Sequence, residues 1–269
     1  MPIPLLLATW NFGKVHEMRA LLADLAAEQP RTTGIPLQKP PTGGDEANPA
    51  SKTASLSRKS STQNSIYELL TLKDAGVTLR VAEDGATYAE NAARKALQYC
   101  KASGLLTMAD DSGLEVDALD GAPGLHSARY SAKPGANDAD RRQVLLQNLT
   151  DKPRPWTARF RCTVVIAVPA GHPLPSRFTP AAVVGGISLY QTEGTCEGEI
   201  IEEERGRNGF GYDPVFLMAG LVHTMAELST EEKNQLSHRA RAVKAAVPLL
   251  EKLAAHKKGR KSSQSAANQ

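Results

Sequence analysis

The spacing of apolar residues predicts how the chain begins. Residues 3–9 (IPLLLAT) form a continuous apolar run, which is typical of a buried strand. After Gly13 the apolar residues instead recur at the spacing of one helix face, at Val15, Met18, Leu21, Leu22 and Leu25. The chain is therefore expected to open with a strand, a short polar loop and a helix.

Further segments have the apolar and β-branched composition of strands. They are residues 76–85 (GVTLRVAEDG), 105–109 (LLTMA), 159–169 (RFRCTVVIAVP) and the end of 209–218 (GFGYDPVFLM). A looser β-rich region with several glycines covers about 183–201. The first of these segments is expected to be a strand that ends in an acidic turn.

Capping signals predict two more helices. Thr87 and Glu90 have the spacing of a capping box at the start of one helix, and Ser229 and Glu232 repeat that spacing before another. Pro248 is expected to kink or end this last helix. Strands that alternate with helices indicate an α/β protein.

Two segments lack this periodicity. Residues 31–65 are rich in Pro, Gly, Ser, Thr and Lys, and cannot bury enough apolar surface to offset the entropy of ordering them. We therefore predict one domain over residues 1–255, with a flexible insertion at about 31–74. The polar, basic segment 256–269 is expected to be a disordered tail.

The composition excludes several classes of protein. Among 269 residues, 41% are hydrophobic and the formal net charge is +3, which is too nearly balanced for a dedicated nucleic-acid binder. Three widely spaced cysteines without a CxxC pair argue against a disulfide framework or a zinc site. No apolar run approaches the roughly 18 residues that span a bilayer, and the first residues lack the features of a signal peptide. The sequence thus predicts a soluble cytoplasmic protein with no membrane contact.

The loop between the first strand and the first helix (TWNFGK) has features of a phosphate site. Backbone N–H groups at a helix N-terminus favour anions, and Thr9, Asn11 and Lys14 can add hydrogen bonds and charge. The loop is not a P-loop, because Ala8 and Val15 stand where that motif requires Gly and Ser or Thr. A simple polar turn explains the same residues equally well.

Acidic residues end two of the predicted strands. Asp110 and Asp111 follow residues 105–109 directly, and Glu83 lies at the end of the strand before them. Carboxylates brought together there would make an oxygen-ligand site for Mg²⁺, which usually retains waters and binds substrate phosphates. A metal beside a carboxylate can orient and deprotonate a water for attack on phosphorus. The alternative is that the pair forms only an Asx-type turn before Gly113.

Two later motifs suit a nucleobase. GFGYDP places Phe210 between two glycines, where its ring could stack on a base, and Asp213 could accept hydrogen bonds from the base edge. EEKNQLSHRAR collects Lys233, His238 and Arg239 near a helix start, where they could neutralise phosphate or donate to base oxygens. Turn chemistry with core aromatics, and an ordinary solvated helix face, also explain these residues.

The order of the motifs is more specific than any one of them. TWNFGK, EDGATYAENAARKA, ADDSGLEVDALDGAPGLHSARYS, GFGYDPVF and ELSTEEKNQLSHRARA together resemble the inosine triphosphate pyrophosphatase family, also called Ham1-like proteins. The resemblance covers about residues 3–30 and 77–253. It implies a long mixed β-sheet flanked by helices, in two lobes with an active-site cleft between them. It also implies a Mg²⁺-dependent homodimer that hydrolyses ITP, dITP and XTP to the monophosphate and pyrophosphate, which cleanses the nucleotide pool.

The resemblance assigns roles to individual residues. It implies that Glu83 and Asp111 hold the metal and that Asp111 is also the general base, while Asp110 supports the turn. The residues that would bind the triphosphate and the base are Thr9, Asn11, Lys14, Ser112, Phe210, Gly211, Tyr212, Asp213, Lys233, His238 and Arg239, of which the last three would read the 6-oxo group of the purine.

The chain also departs from the family pattern. Trp10 stands where the family usually has a small residue, so its indole is expected either to point out of the cleft or to narrow it. The insertion at 31–74 and the stretch 183–207 are longer than usual. Other hypotheses remain: a phosphohydrolase of broader base specificity, a nucleotide kinase, which the incomplete P-loop disfavours, and a nucleic-acid binder that uses the tail, whose affinity would fall steeply with salt.

Overall fold

Strands and helices alternate along the chain, which a computed structural model describes for residues 2–27 and 66–266. The strands are β1 (Ile3–Leu7), β2 (Tyr67–Thr71), β3 (Leu106–Val116), β4 (Trp156–Val168), β5 (Ala182–Val184), β6 (Ile187–Ile200) and β7 (Phe216–Met218). The helices are α1 (Phe12–Ala27), α2 (Tyr88–Ser103), α3 (Asp138–Leu149), α4 (Thr230–Leu236) and α5 (His238–Ala266). Short 3₁₀ turns lie at Asp117–Leu119, Gly124–Arg129 and Asp213–Val215. The predicted α/β class is confirmed.

The strands form one mixed sheet. Their order is β2-β1-β3-β4-β6-β5, and β7 pairs with one end of β6. β1 is parallel to β2 and β3, whereas the other pairs are antiparallel. β1 pairs with β3 only over Leu106–Met108, so the long strands β3, β4 and β6 continue beyond it into a second lobe.

Hydrophobic clusters fill the two lobes. One cluster lies between the sheet and helices α1 and α5, and includes Leu5 and Val164. A second lies on the opposite face beneath α2, and includes Leu6 and Val165. The third surrounds Phe216 at the far ends of β3, β4 and β6, against α3 and β7. Because side chains alternate across a strand, consecutive residues of β1 and β4 serve opposite faces of the same sheet.

The helix starts predicted from capping signals are confirmed. The Thr87 hydroxyl accepts a hydrogen bond from the Glu90 N–H at the start of α2. Ser229 and Glu232 form a complete capping box at the start of α4. The Glu90 carboxylate accepts its hydrogen bond from the N–H of Ala86 rather than from Thr87, so the first signal is only half of a capping box.

Two strand predictions are corrected. Residues 77–85 form an irregular loop between β2 and α2 rather than a strand, since both edges of β1 are already taken by β2 and β3. Asp110 and Asp111 lie in the middle of β3 rather than after a strand, because β4 continues to pair with them beyond the end of β1.

Three segment boundaries also differ. The predicted insertion at 31–74 lies outside the described residues up to residue 65, but its last part forms β2 and pairs with β1 over Ile3–Leu7. The last predicted helix is divided into α4 and α5, and α5 continues through Pro248 to Ala266. Residues 256–266 therefore extend a helix instead of forming a disordered tail. Within the two described ranges, no helix is both long and apolar enough to cross a membrane.

Candidate active site

A cleft of about 770 Å³ lies between the two lobes. The predicted site residues that line it are Asn11, Lys14, Asp111, Ser112, Phe210, Gly211, Tyr212, Asp213, Lys233, His238 and Arg239. Thr9 and Glu83 are not part of this lining. The sheet, three helix starts and two loops thus bring residues that are up to 228 positions apart in the chain to one cavity.

Side chains fix the loop before α1. The Thr9 hydroxyl accepts a hydrogen bond from the Asn11 N–H at 3.2 Å, and the Asn11 side-chain oxygen accepts one from the Lys14 N–H at 3.1 Å. The Lys14 ammonium lies 3.0 Å from the Asp110 carboxylate. The helix start therefore presents a cation to the cleft in a defined position, as an anion site requires.

Asp110 and Asp111 face opposite sides of the sheet. Asp110 is completely buried and pairs with Lys14 and Arg239 on the side of α1 and α5. Burial alone would raise its pKa, but these two cations outweigh burial and lower the pKa below its ordinary value. The expectation that Asp110 only supports a turn is wrong, because β3 continues through it and its carboxylate anchors two cleft cations.

Asp111 points to the side of α2. Its carboxylate accepts a hydrogen bond from the Asn91 amide at 3.0 Å, and the Lys95 ammonium lies 3.6 Å from its other oxygen. The same ammonium lies 2.7 Å from the Glu83 carboxylate, so Lys95 bridges the two predicted metal ligands. Burial raises the pKa of Asp111 despite Lys95 and Lys14. Burial would also raise the pKa of Glu83, but Lys95 lowers it below its ordinary value.

The donor set of Glu83 and Asp111 fits a magnesium ion that also binds phosphate. Both are hard oxygen donors, and the negative charge of Glu83 adds to burial in raising the pKa of Asp111, as expected of two close carboxylates. In the described ranges, no group of three or more His, Cys, Asp or Glu residues could hold a metal alone. Mg²⁺ typically takes one or two carboxylates and completes its shell with phosphate oxygens and water.

A buried ion network closes the other end of the cleft. The Lys233 ammonium lies 2.6 Å from the Asp213 carboxylate and 2.5 Å from Glu17, and Glu17 also pairs with Arg239. Burial raises the pKa of Asp213, while Glu17 has a lowered pKa because Arg239 and Lys233 outweigh its burial. Arg239 additionally donates to the Ser112 hydroxyl at 3.0 Å. The cations of the two C-terminal helices are thus fixed by carboxylates from three other elements.

His238 is a neutral polar group at the cleft wall. Its ring stacks on Phe160 with centroids 4.7 Å apart and an angle of 11° between the planes. Burial and the neighbouring Arg239 and Lys233 lower its pKa well below 6.5, so the imidazole is uncharged at neutral pH. Nδ1 is buried and has no hydrogen-bond partner in the described part of the chain.

The two aromatic residues of GFGYDP have different environments. The Phe210 ring lies 5.2 Å from the Lys233 ammonium and packs so close to Gly13 that a Cβ there would be 2.8 Å from it. Tyr212 is buried, and its hydroxyl donates to the Ser127 carbonyl at 2.9 Å. Phe210 is therefore the ring that a ligand in the cleft can reach, while Tyr212 joins the loop to the wall.

Trp10 points away from the cleft. Its ring lies beneath the Arg80 guanidinium at 3.9 Å, and its Nε1–H donates to the Tyr99 hydroxyl at 3.1 Å. The same hydroxyl accepts a hydrogen bond from the Val81 N–H at 3.4 Å. The indole thus anchors the loop that carries Glu83, which is the first of the two orientations expected for it.

Several residues of the site were missed by the sequence analysis. They are Glu17, Asn91, Lys95, Asp138 and Arg141. Asn91 and Lys95 are four residues apart on α2, within the motif EDGATYAENAARKA, and that helical spacing could have indicated a shared polar face. Glu17 carries no comparable signal, because its partners come from the other end of the chain.

Comparisons with known proteins agree with this geometry. The model of the Ham1 family matches residues 5–249. A dITP/XTP pyrophosphatase of Desulforamulus reducens is 41% identical over 71% of this chain and 87% of its own length, and that of Bacillus subtilis is 40% identical over 69% and 85%. A HAM1 protein from Coxiella burnetii is similar in structure with a TM-score of 0.65 and 30% identity, covering 93% of this chain and 99% of that one.

Proposed function

This chain belongs to the Ham1 family, and from that premise we propose that it hydrolyses non-standard purine nucleoside triphosphates such as dITP, ITP and XTP to the monophosphate and pyrophosphate. Its role would be to cleanse the nucleotide pool. The proposal rests on the groups that one cleft brings together. They are the Lys14 ammonium at a helix start, the buried Asp111 carboxylate, the Phe210 ring and the uncharged His238 imidazole.

The phosphate end of the substrate would lie near the start of α1. Lys14 and the N–H groups of the first turn offer positive charge there, and Asn11 fixes the shape of that turn. Lys14 is already held by Asp110, so it needs little reordering when an anion arrives. Ser112, which accepts a hydrogen bond from Arg239, faces the same space.

Asp111 would act as the general base. Burial raises its pKa, which makes it a better proton acceptor than an ordinary aspartate, and Asn91 fixes one of its oxygens. Glu83 and Asp111 would hold Mg²⁺, which when bound supplies charge neutralisation on the phosphates and a more acidic water. Lys95 would keep the two carboxylates at a fixed separation.

Selectivity for the base would come from buried donors. Lys233, His238 and Arg239 lie at the closed end of the cleft, where a 6-oxo group can accept hydrogen bonds. Adenine presents an amino group at that position and would leave buried donors unpaired, at a cost of about 1–3 kcal/mol for each. Phe210 would stack on the base. The enzyme is further proposed to act in the cytoplasm as a homodimer, as its family resemblance implies.

The test is pyrophosphate release from dITP, XTP, dATP and dGTP, each with Mg²⁺ and with a chelator. We expect release from dITP and XTP with Mg²⁺, and little release from the other nucleotides or with the chelator. Equal release from all four would favour a phosphohydrolase of broader base specificity. Orthophosphate as the only product would contradict the proposed cleavage between the α and β phosphates.

A further inference from the structure

Helix α3 holds both polar groups of one residue in the GFGYDP loop. The N–H of Gly211 donates to the Asp138 carboxylate at 2.7 Å, and the carbonyl of Gly211 accepts from the Arg142 guanidinium at 2.8 Å. Asp138 and Arg142 are four residues apart on α3 and therefore project from the same side of the helix. Helix α3 is thus hydrogen-bonded to the loop on both sides of the Gly211 Cα.

The loop depends on this external support. Gly211 has a φ of +65° and no side chain, so it cannot hold the loop by packing. Within the loop, Asp213 accepts a hydrogen bond from the Phe210 N–H at 3.0 Å and donates its own N–H to the Phe210 carbonyl at 3.3 Å. These bonds close a tight turn. Tyr212 and Asp213 attach the later part of the loop to Ser127 and Lys233. The contacts from α3 hold Gly211, the residue next to Phe210.

Glu204 holds the Arg142 side chain in one orientation. Its Nε and Nη2 donate to the two carboxylate oxygens of Glu204, each at 2.8 Å, while its Nη1 reaches Gly211. The Arg142 side chain is only 12% exposed. A two-point contact between guanidinium and carboxylate fixes the plane of the guanidinium, so the direction of the bond to Gly211 is fixed as well.

We propose that Asp138, Arg142 and Glu204 form a positioning clamp that orients the Phe210 ring for stacking on the purine and so contributes to base selectivity. The proposal rests on the proposed function, because it assigns Phe210 to the base. Arg142 and Glu204 act through Gly211 and are positioning residues. Without them the loop is still attached through Tyr212 and Asp213, but Gly211 is no longer held from α3. The Phe210 ring is then less firmly oriented toward a 6-oxo purine, and discrimination against adenine weakens.

The kinetic test compares Arg142→Ala with Arg154→Ala. Arg154 is a matched control, since it also pairs with a glutamate, Glu202, and lies over the ring of Trp156, away from the cleft. For Arg142→Ala we expect the KM for dITP to rise about tenfold and the preference for dITP over dATP to fall about tenfold, with kcat changed by less than about threefold. Arg154→Ala should leave all three unchanged.

A second measurement does not need turnover. Hydrogen–deuterium exchange of residues 208–213 in the ligand-free protein should be faster in Arg142→Ala and in Glu204→Gln than in the wild type or Arg154→Ala. Glu204→Gln keeps the size of the side chain and serves if Arg142→Ala does not fold. Unchanged exchange in this segment would overturn the clamp. Unchanged KM and base preference, in variants of an active wild type, would overturn its role in selectivity. Wild-type protein that releases no pyrophosphate from dITP or XTP would instead contradict the proposed function.

Discussion

At the scale of single residues, the adjacent carboxylates Asp110 and Asp111 have pKa values that move in opposite directions. Asp110 is the more deeply buried, yet Lys14 and Arg239 hold its pKa below the ordinary value. Asp111 has Lys95 nearby at a longer distance, and burial raises its pKa. The residue with the higher pKa binds a proton more readily, which supports the proposal that Asp111 is the general base and Asp110 a counter-ion.

The variant Asp111→Asn tests that distinction. It keeps the shape of the side chain and removes the charge, so pyrophosphate release from dITP should fall at least about a hundredfold. The measurement is kcat with saturating Mg²⁺. Asp117→Asn, at an exposed aspartate just beyond β3 that bonds to Thr157 and Arg159, is the matched control and should keep its activity. If Asp111→Asn retained most of the wild-type rate, the assignment of the base would be wrong.

His238 predicts how stability depends on pH. Its folded-state pKa lies well below 6.5, so as the pH falls below about 6.5 the unfolded chain binds a proton before the folded chain does. The free energy of unfolding should therefore decrease with falling pH in this range, by up to about 1.4 kcal/mol per pH unit from this one group. Urea unfolding between pH 5 and 7.5 measures this slope.

The comparison is between His238→Asn and His16→Asn. In His238→Asn the free energy of unfolding should fall less steeply with falling pH, because the group that is protonated more readily in the unfolded chain is gone. His16 is exposed on α1, and the same replacement there serves as the control. A slope that is equally steep in all three proteins would show that other groups cause it.

At the scale of elements, the contact between β6 and α5 positions the end of the cleft that carries His238 and Arg239. A Cβ added at Gly194 would lie 2.2 Å from the His238 carbonyl and 2.5 Å from the Ala242 N–H. The first turn of α5, which carries His238 and Arg239, therefore rests directly on the backbone of β6. Only a glycine permits this approach.

The variant Gly194→Ala should consequently affect both stability and activity. The added methyl group pushes the start of α5 away, and we expect a loss of about 1–3 kcal/mol in the free energy of unfolding. The KM for dITP should rise at the same time. Glu193→Ala, at the exposed neighbouring position, should change stability by less than about 0.5 kcal/mol. Equal stability of the two variants would mean that α5 can shift without cost.

The sequence predicts elements better than it predicts where they stop. Apolar runs and caps indicate β1, β4, α2 and α4, because these signals are local. The strand β3 was expected to end before Asp110, since a carboxylate rarely lies inside a buried strand. It continues because Lys14, Lys95 and Arg239 neutralise the pair, and these partners come from other elements. The order of the motifs predicted most of the cleft residues. Glu17 and the contacts of α3 were not predicted, because they depend on packing between distant segments that no local pattern reports.

At the scale of the whole molecule, the described residues that line the cleft come from both sides of the segment 31–65 in the sequence. Replacing this segment with a short Gly/Ser linker that still joins α1 to β2 should preserve pyrophosphate release and the preference for dITP. Loop length contributes only weakly to stability, so the free energy of unfolding should change by about 1 kcal/mol. Loss of base preference in the shortened protein, measured with dITP and dATP, would assign the segment a part in recognition.

The alternation of Asp110 and Asp111 also limits how β3 can vary in length. Loss or gain of one residue upstream in the strand would turn Asp111 toward Lys14 and Arg239, and Asp110 would no longer meet them. A substitution within β3 alters the contacts of one side chain, but a single deletion exchanges the two faces and both sets of partners at once. The strand can therefore tolerate substitutions far more readily than a shift of its register by one residue.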